Sequence, residues 1–262
     1  MTYLSNNWQG VNYSTNNERS FDSKYSPNST FFESVSFKKK FSNMILGALS
    51  KEEFQRIASN SNRVSLAEGE ILYQPDDKID YIYFPETAVV SQFCILEDGR
   101  TIEVAMVGKE GITGQGAIYG SEMAHHWTQV SVAGKALKIS LDVVKQEFNR
   151  CEALQSRLLN YFNQYTTQIS NRVVCNNYHL VEKRFCSWLL MLCDRHGSEE
   201  FMLTHSHVAG YLGVHRPSFT HVAKKLRERG VIDYCRGNLS VLDRSELLRH
   251  ACECYTGIEQ SF

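Results

Sequence analysis

Hydrophobic positions change their spacing along the chain, and each spacing predicts a different kind of element. Between residues 43 and 58 they fall near helical intervals, and Ser50 with Glu53 three residues later forms a capping box, so a short helix is predicted. Residues 63–140 instead contain short alternating runs, separated by turns such as Glu-Asp-Gly and Gly-Lys-Glu-Gly. That pattern is typical of an antiparallel β-roll or sandwich.

A helical period returns after this β-rich region and continues in a long segment. The apolar seam follows alternating four- and three-residue steps at Leu158, Phe162, Tyr165 and Ile169. Two partners fit such a seam: a second copy of the chain, which we favour, or the β-roll of the same chain. A further helix with an apolar stripe follows and stops at Gly197, and we interpret it as scaffold.

The segment from Thr204 to Gly230 contains two helical runs joined by a short turn. Thr204 is placed to cap the first run, Gly213 supplies the turn, and Pro217 falls in the first turn of the second run, where its missing amide costs nothing. Seven apolar positions must then point inward: Val208, Ala209, Leu212, Val214, Phe219, Val222 and Leu226. These offsets predict a helix-turn-helix.

Burying that face leaves a basic face on the second helix. It consists of His215, Arg216, Ser218, His221, Lys224 and Lys225. Arg216 near the helix start is the residue type that reads guanine in a major groove, and the lysines suit phosphates. A solvated basic face is the alternative, which the motif geometry disfavours.

A predicted hairpin follows, with Arg236 at its tip within reach of a phosphate, and then a helix capped by Asp243 with Glu246 three residues later. The C-terminal block is therefore predicted to be a winged helix-turn-helix.

Composition limits where nucleic acid can bind. The formal net charge is −1, so a DNA-binding surface must be a local patch. No apolar run approaches the length of a membrane helix, which predicts a soluble, cytoplasmic protein with no membrane partner. Residues 1–40 are rich in Asn, Ser and Tyr with little apolar periodicity, and we predict a disordered tail there.

A β-roll, a long seam helix and a C-terminal winged helix-turn-helix, in that order, resemble the Crp/Fnr superfamily of transcription regulators. The resemblance is carried by "GEILYQPDDKIDYIYFPETAVVSQFCILEDGRTIEVAMVGKEGITG" in the roll and by "LTHSHVAGYLGVHRPSFTHVAKKLRERGVIDYCRGNLSVLDR" near the C-terminus. It implies an α+β fold with a cyclic-nucleotide-binding-like sensor domain at 41–150, a dimerisation helix at 151–178 and a winged helix-turn-helix domain at 179–262.

The resemblance also implies roles for individual residues. Arg216 and His221 occupy base-reading positions, and backbone-contacting positions are occupied by Thr204, His215, Ser218 and Lys224. The implied partners are double-stranded DNA, a second copy of the chain, an effector of unknown identity and, for an activator, RNA polymerase.

The sensor domain departs from members that bind cyclic AMP. Those hold the ribose with Gly-Glu and the phosphate with an arginine, whereas this chain has Gly114 and Gln115 at the first place and His125 and His126 at the second. No arginine remains to pair a phosphate bidentately, so cyclic nucleotide binding is not predicted. Either histidine could accept a weaker anionic ligand.

Other readings compete with the regulator. A cupin-like metalloenzyme would need several His and a Glu on strands facing one pocket. The predicted strands carry only His125 and His126, at an edge, so we expect neither an enzyme nor a cofactor. An adaptor acting through protein contacts alone would lack salt-dependent DNA binding.

The "HACEC" segment offers His250, Cys252 and Cys254, but on a helix Cys252 would point away from the other two, so we expect inert thiols and no metal. A redox switch there or at Cys175 is left open.

Overall fold

The computed structural model describes residues 42–255, so the predicted tail at 1–40 lies outside the described residues. The described residues begin with two short helices, α1 at Met44–Gly47 and α2 at Lys51–Ala58. The predicted capping box is present: the Ser50 side chain accepts a hydrogen bond from the Glu53 amide, and the Glu53 carboxylate accepts one from the Ser50 amide. Asn43 caps α1 and donates its side-chain amide to the carbonyls of Pro85 and Gly111, which fixes α1 to the roll.

Seven strands form the roll in two antiparallel sheets. The strands are β1 Ser61–Leu66, β2 Ile71–Tyr73, β3 Tyr81–Pro85, β4 Val89–Ile95, β5 Thr101–Val107, β6 Trp127–Val132 and β7 Gly134–Ser140. One sheet has the order β1-β7-β3 and the other β2-β6-β4-β5. A four-residue helix, α3 at Gly116–Tyr119, crosses between β5 and β6. The inner faces of the two sheets share one apolar core, as the alternation of apolar and polar residues predicted.

Two helices follow the roll: α4 at Leu141–Arg150 and the long α5 at Glu152–Tyr178. Leu158 is fully buried in the core of the roll, and Phe162 and Tyr165 pack against the same core. The seam that we favoured as a contact between two copies is therefore occupied largely by the chain's own roll. The favoured assignment is wrong for Leu158, because α5 folds back along the domain that precedes it and the roll covers this side chain completely.

The C-terminal part is built around α6 at Val181–His196, which ends at Gly197 in the left-handed conformation (φ 81°). The remaining elements are β8 Glu200–Met202, α7 His205–Leu212, α8 Arg216–Glu228, β9 Ile232–Cys235, β10 Asn238–Val241 and α9 Arg244–His250. Phe185, Trp188, Leu189 and Leu192 of α6 form the centre of the second core. The three strands pair in the order β8-β10-β9, a small antiparallel sheet beside the two helices α7 and α8.

A buried polar cluster joins the two parts of the chain. The Glu103 carboxylate on β5 accepts hydrogen bonds from Arg172 of α5 and from Trp188 Nε1 of α6 at 3.0 Å. Burial raises the pKa of Glu103, while the charge of Arg172 and the hydrogen bonds from Ser91 and Trp188 act in the opposite direction. Strand β5, the long helix α5 and helix α6 of the C-terminal part therefore meet at one carboxylate.

The first helix of the helix-turn-helix also packs on β5. Tyr211 of α7 stacks between Phe93 and Trp188, at ring-centroid distances of 5.3 and 5.5 Å. The Thr101 hydroxyl lies 3.4 Å from the Gly210 carbonyl oxygen across the same contact. Within residues 42–255, no helix combines the length and the apolar character needed to cross a membrane.

Candidate DNA-binding face and sensor pocket

Local geometry places the helix-turn-helix as the sequence predicted. The Thr204 hydroxyl accepts a hydrogen bond from the His207 amide and so caps α7. Gly213 ends α7 in the left-handed conformation (φ 62°), and the Val214 amide then donates to the Ala209 carbonyl. Pro217 lies in the first turn of α8. Six of the seven predicted inward positions are buried, and the seventh, Val214, is partly buried against the same core.

The opposite face of α8 is open to solvent. Exposed side chains are those of His215, Arg216, Ser218, His221 and Lys224. The Lys224 ammonium lies 3.8 Å from the Glu228 carboxylate, and both side chains are largely exposed, so this pair contributes little to stability. Arg216 stands at the N-terminal end of the helix, where a recognition helix meets base edges.

Lys225 differs from the other predicted contacts. Its ammonium bonds the Glu182 carboxylate of α6 at 2.5 Å, and Arg229 Nη1 contacts the same carboxylate at 3.1 Å. Lys225 is half-buried in this pair. It therefore already has an anionic partner within the domain, which weakens its assignment as a phosphate contact.

His205 fixes the two helices to each other. Its Nδ1 lies 2.9 Å from the Thr220 hydroxyl, and its ring packs edge-on against Phe219 and Tyr234. Burial, followed by the charge of Arg216, lowers the pKa of His205. The neutral ring is thus the form that this contact favours.

The wing is the hairpin of β9 and β10. Arg236 and Gly237 form its turn with φ values of 51° and 89°, and Arg236 is exposed at the tip. Leu203 N bonds the Gly237 carbonyl at 2.7 Å, which holds the tip beside the start of α7. Arg236 and Thr204 therefore lie at the same end of the domain.

A pocket in the roll brings together all four predicted ligand residues, Gly114, Gln115, His125 and His126. Its volume is about 160 Å³, and its wall also includes Tyr73, Gln92, Thr128 and Tyr165. Tyr165 of α5 donates its hydroxyl to Gln92 of β4, so the long helix forms one side of the pocket.

The polar groups of this pocket are suited to hydrogen bonding rather than to pairing a charge. Gln115 is buried, and its side-chain oxygen has no hydrogen-bond partner among the described residues. Burial, followed by the proximity of His125, lowers the pKa of His126, so that ring favours its neutral form. A buried orphan amide oxygen marks a place where a donor from a ligand would be stabilising.

The structure also gathers four residues that the sequence did not predict to meet. Cys175, His179, Cys252 and Cys254 each place one side-chain donor atom within 4.8 Å of the others. The assumption of a helix through Cys254 is wrong, because α9 ends at His250 and the chain turns there. His250 contacts Glu182 and Glu246 instead. The "HACEC" pattern did not include Cys175 of α5 or His179 at the end of that helix, which lie about seventy-five positions earlier in the chain.

Comparisons with known proteins agree with this geometry. A model of the cyclic nucleotide-binding domain matches residues 63–151, and a model of the Crp-like helix-turn-helix domain matches residues 183–250. A search of curated proteins found no match.

Solved structures show the same fold at low sequence identity. FixK2 from Bradyrhizobium japonicum is 14% identical, with a TM-score of 0.63 over 73% of this chain and 98% of its own. The c-di-GMP responsive global regulator CLP from Xanthomonas campestris is 14% identical, with a TM-score of 0.61 over 74% and 100%. A CRP-family transcriptional regulator from Thermus thermophilus is 18% identical, with a TM-score of 0.61 over 75% and 98%.

The two matched domains together span more than half of the chain, in the order of those regulators, and neither the models nor these structures are those of enzymes. The chain belongs to the Crp/Fnr superfamily of transcription regulators.

Proposed function

We propose that this protein binds a palindromic DNA site as a homodimer and regulates transcription from it. The observation that carries the proposal is the exposed basic face of α8, with Arg216 at its N-terminal end. The wing of the same domain adds Arg236, which is exposed at its tip. Arg216 reads a guanine, and Thr204, His215, Ser218 and His221 complete the contacts. Lys224 and Arg236 supply phosphate contacts, with Lys225 secondary because Glu182 already binds it.

The long helix supports the homodimer through a second apolar stripe, which shares Phe162 and Ile169 with the predicted seam but otherwise lies on the exposed side of the helix. Its members follow three- and four-residue steps at Leu159, Phe162, Thr166, Ile169 and Val173. Leu159 and Val173 are 52% and 58% exposed, and Leu180 beyond the helix is 78% exposed. Apolar side chains in this register gain most from a second helix of the same sequence.

The dimer has its own test. Val173→Glu places a charge in the stripe, and Thr167→Glu places the same charge at an exposed position of α5 outside it. Sedimentation velocity should show a dimer for wild type and Thr167→Glu and a monomer for Val173→Glu. If both variants sediment with wild type, the stripe is not the dimer contact.

The effector in this proposal is a small polar molecule bound in the sensor pocket. Ligand pockets usually measure about 300–1,000 Å³, so a volume of about 160 Å³ favours a compact ligand. Gln115 would accept a hydrogen bond from it, and His125 or His126 would contact its polar end.

DNA reading is tested with two single variants on duplexes recovered from random DNA. Arg216→Ala should cost about 1–3 kcal/mol on the preferred site and relax the preference at one base pair, because a bidentate base contact is lost. Lys224→Ala should weaken all duplexes alike and lower the slope of log affinity against log salt by about one. Uniform weakening by Arg216→Ala, or a shifted base preference for Lys224→Ala, would contradict the assigned roles.

A further inference from the structure

Three cysteines and one histidine converge where the long helix meets the end of the C-terminal domain. Cys175 and His179 are four positions apart, one turn at the end of α5, so their side chains share a face. Cys252 and Cys254 come from the turn after α9, on the opposite side of the junction. Cys175 and Cys252 are buried, and Cys254 is partly buried. Three soft sulfur donors and one imidazole nitrogen, from two distant segments, thus lie close together.

Two of the six distances between the donor atoms match the edges of a tetrahedron around one ion, and all six are at most 4.8 Å. Cys175 Sγ lies 3.6 Å from Cys252 Sγ, and Cys254 Sγ lies 3.6 Å from His179 Nδ1. In a tetrahedral zinc site with Zn–S of about 2.3 Å and Zn–N of about 2.0 Å, the edges are about 3.8 Å between two sulfurs and about 3.5 Å between sulfur and nitrogen. A disulfide would instead bring two sulfurs to about 2.05 Å.

Groups around the four residues orient the donors. The Glu253 carboxylate lies 3.2 Å from His179 Nε2, so a proton held there leaves Nδ1 as the atom facing the sulfurs. Such a carboxylate–histidine pair is the usual arrangement behind a metal-bound imidazole. Ser187 of α6 is buried with its hydroxyl 3.0 Å from Cys252 Sγ and accepts the Cys252 amide at 2.9 Å. Glu253 therefore holds the ring of His179 in place, and Ser187 holds Cys252 in place.

We propose that Cys175, His179, Cys252 and Cys254 bind one structural Zn²⁺ ion per chain. Three thiolates and one imidazole are a tetrahedral set that selects zinc over harder ions such as Mg²⁺. All four positions are taken by protein atoms, which is the arrangement of a structural rather than a catalytic site. Three thiolates with Zn²⁺ carry a net charge of −1, and Arg172 and Arg184 are near enough to interact electrostatically with Cys175.

The ion would join the end of the long helix to the end of the C-terminal domain. Cys175 and His179 precede the junction with α6, and Cys252 and Cys254 follow α9, which itself packs on α6. The zinc therefore fixes the direction in which the C-terminal domain leaves α5. This site goes beyond the proposed DNA binding and does not depend on it, so metal content is its first test.

The experiment measures metal in full-length protein purified without chelators from zinc-supplied cells. Elemental analysis should give close to one zinc per chain for wild type and for Cys235→Ser, a control that removes an exposed cysteine in the wing. Cys175→Ser and Cys254→Ser should each retain less than about a tenth of that zinc. Zinc content in these two variants equal to that of Cys235→Ser would overturn the site, as would wild-type protein that is folded and zinc-free.

Cobalt gives a readout that does not require a ligand variant to fold. Wild-type protein in which Co²⁺ replaces Zn²⁺ should show the intense visible bands of tetrahedral cobalt and a near-ultraviolet thiolate-to-cobalt transition. Weak bands typical of octahedral cobalt, an iron chromophore in the protein as isolated, or a Cys175–Cys252 disulfide found by peptide mapping would each overturn the proposal.

Glu253 allows a milder change that keeps every ligand. Glu253→Gln should weaken zinc binding about 10–100-fold in competition with a chromophoric chelator, because the histidine loses its orienting carboxylate. Glu228→Gln, on the exposed face of α8, is the matched control and should leave the affinity unchanged. Equal affinities for the two variants would remove Glu253 from the site.

Discussion

Removing the charge of Glu103 should loosen the joint between the β-roll and the helix-turn-helix domain. The Glu103 side chain has 0% exposure and Arg172 8%, and the two groups form an ion pair that also holds Trp188 Nε1 at 3.0 Å. Glu103→Gln preserves shape and an acceptor oxygen but leaves the Arg172 guanidinium buried without its counter-charge. Breaking one partner of a buried pair costs about 3–5 kcal/mol, largely because the other charge stays buried.

The double variant separates the pair from its surroundings. Arg172→Met alone should cost a similar amount, because it leaves the carboxylate in an apolar setting. Glu103→Gln combined with Arg172→Met should cost clearly less than the sum, since no uncompensated charge remains. For a protein of this size, about 3–5 kcal/mol corresponds to a fall in melting temperature of roughly 6–20 °C.

Urea denaturation, followed by circular dichroism, measures the stability of all four proteins. The reasoning predicts two strongly destabilised single variants and a double variant closer to wild type. Single variants that each lose less than about 1 kcal/mol, with additive effects in the double, would show that the pair is solvated and does not hold the two domains together.

Three further predictions concern the helix-turn-helix, each measured by thermal unfolding. Gly213→Ala should cost about 1–2 kcal/mol, because Gly213 has φ of 62° and a new Cβ would lie 2.9 Å from Ile102 Cδ1; a neutral effect would refute the backbone argument. Thr204→Ala should cost about 1 kcal/mol through loss of the α7 cap, whereas Thr204→Ser should be close to neutral; equal losses would contradict capping. His205, whose pKa is lowered, binds fewer protons in the folded than in the unfolded chain, so its contribution to stability should fall as the pH drops from 7.5 to 5.5. His205→Gln should reduce that pH dependence, and an unchanged dependence would exclude this residue as its source.

Local signals made most of the C-terminal domain predictable from the sequence. Thr204 caps α7, Gly213 adopts the left-handed turn, and Pro217 fixes φ in the first turn of α8. Each residue acts within a few positions of itself, so a short segment of sequence is enough to predict its role. The capping box of Ser50 and Glu53 is predictable for the same reason.

Contacts between distant segments were not predictable in this way. Helical periodicity shows that α5 has an apolar face, but it does not say what covers that face, and the choice of a second copy for Leu158 was wrong. Lys225 has the right position on α8, yet Glu182 on another helix binds it. The four residues of the proposed zinc site come from two segments, and only the folded chain places Cys175 beside Cys252.

The central claim is that α8 reads a specific palindrome, and selection of binding sites from random duplex DNA tests it most directly. The full-length protein, reduced and with its metal retained, should enrich a palindrome whose half-sites lie about one helical turn apart, while Arg216→Ala should lose preference at one base pair in each half-site. Salt-dependent binding without any enriched motif, or no binding to DNA, would contradict the account and favour a protein that acts through protein contacts alone.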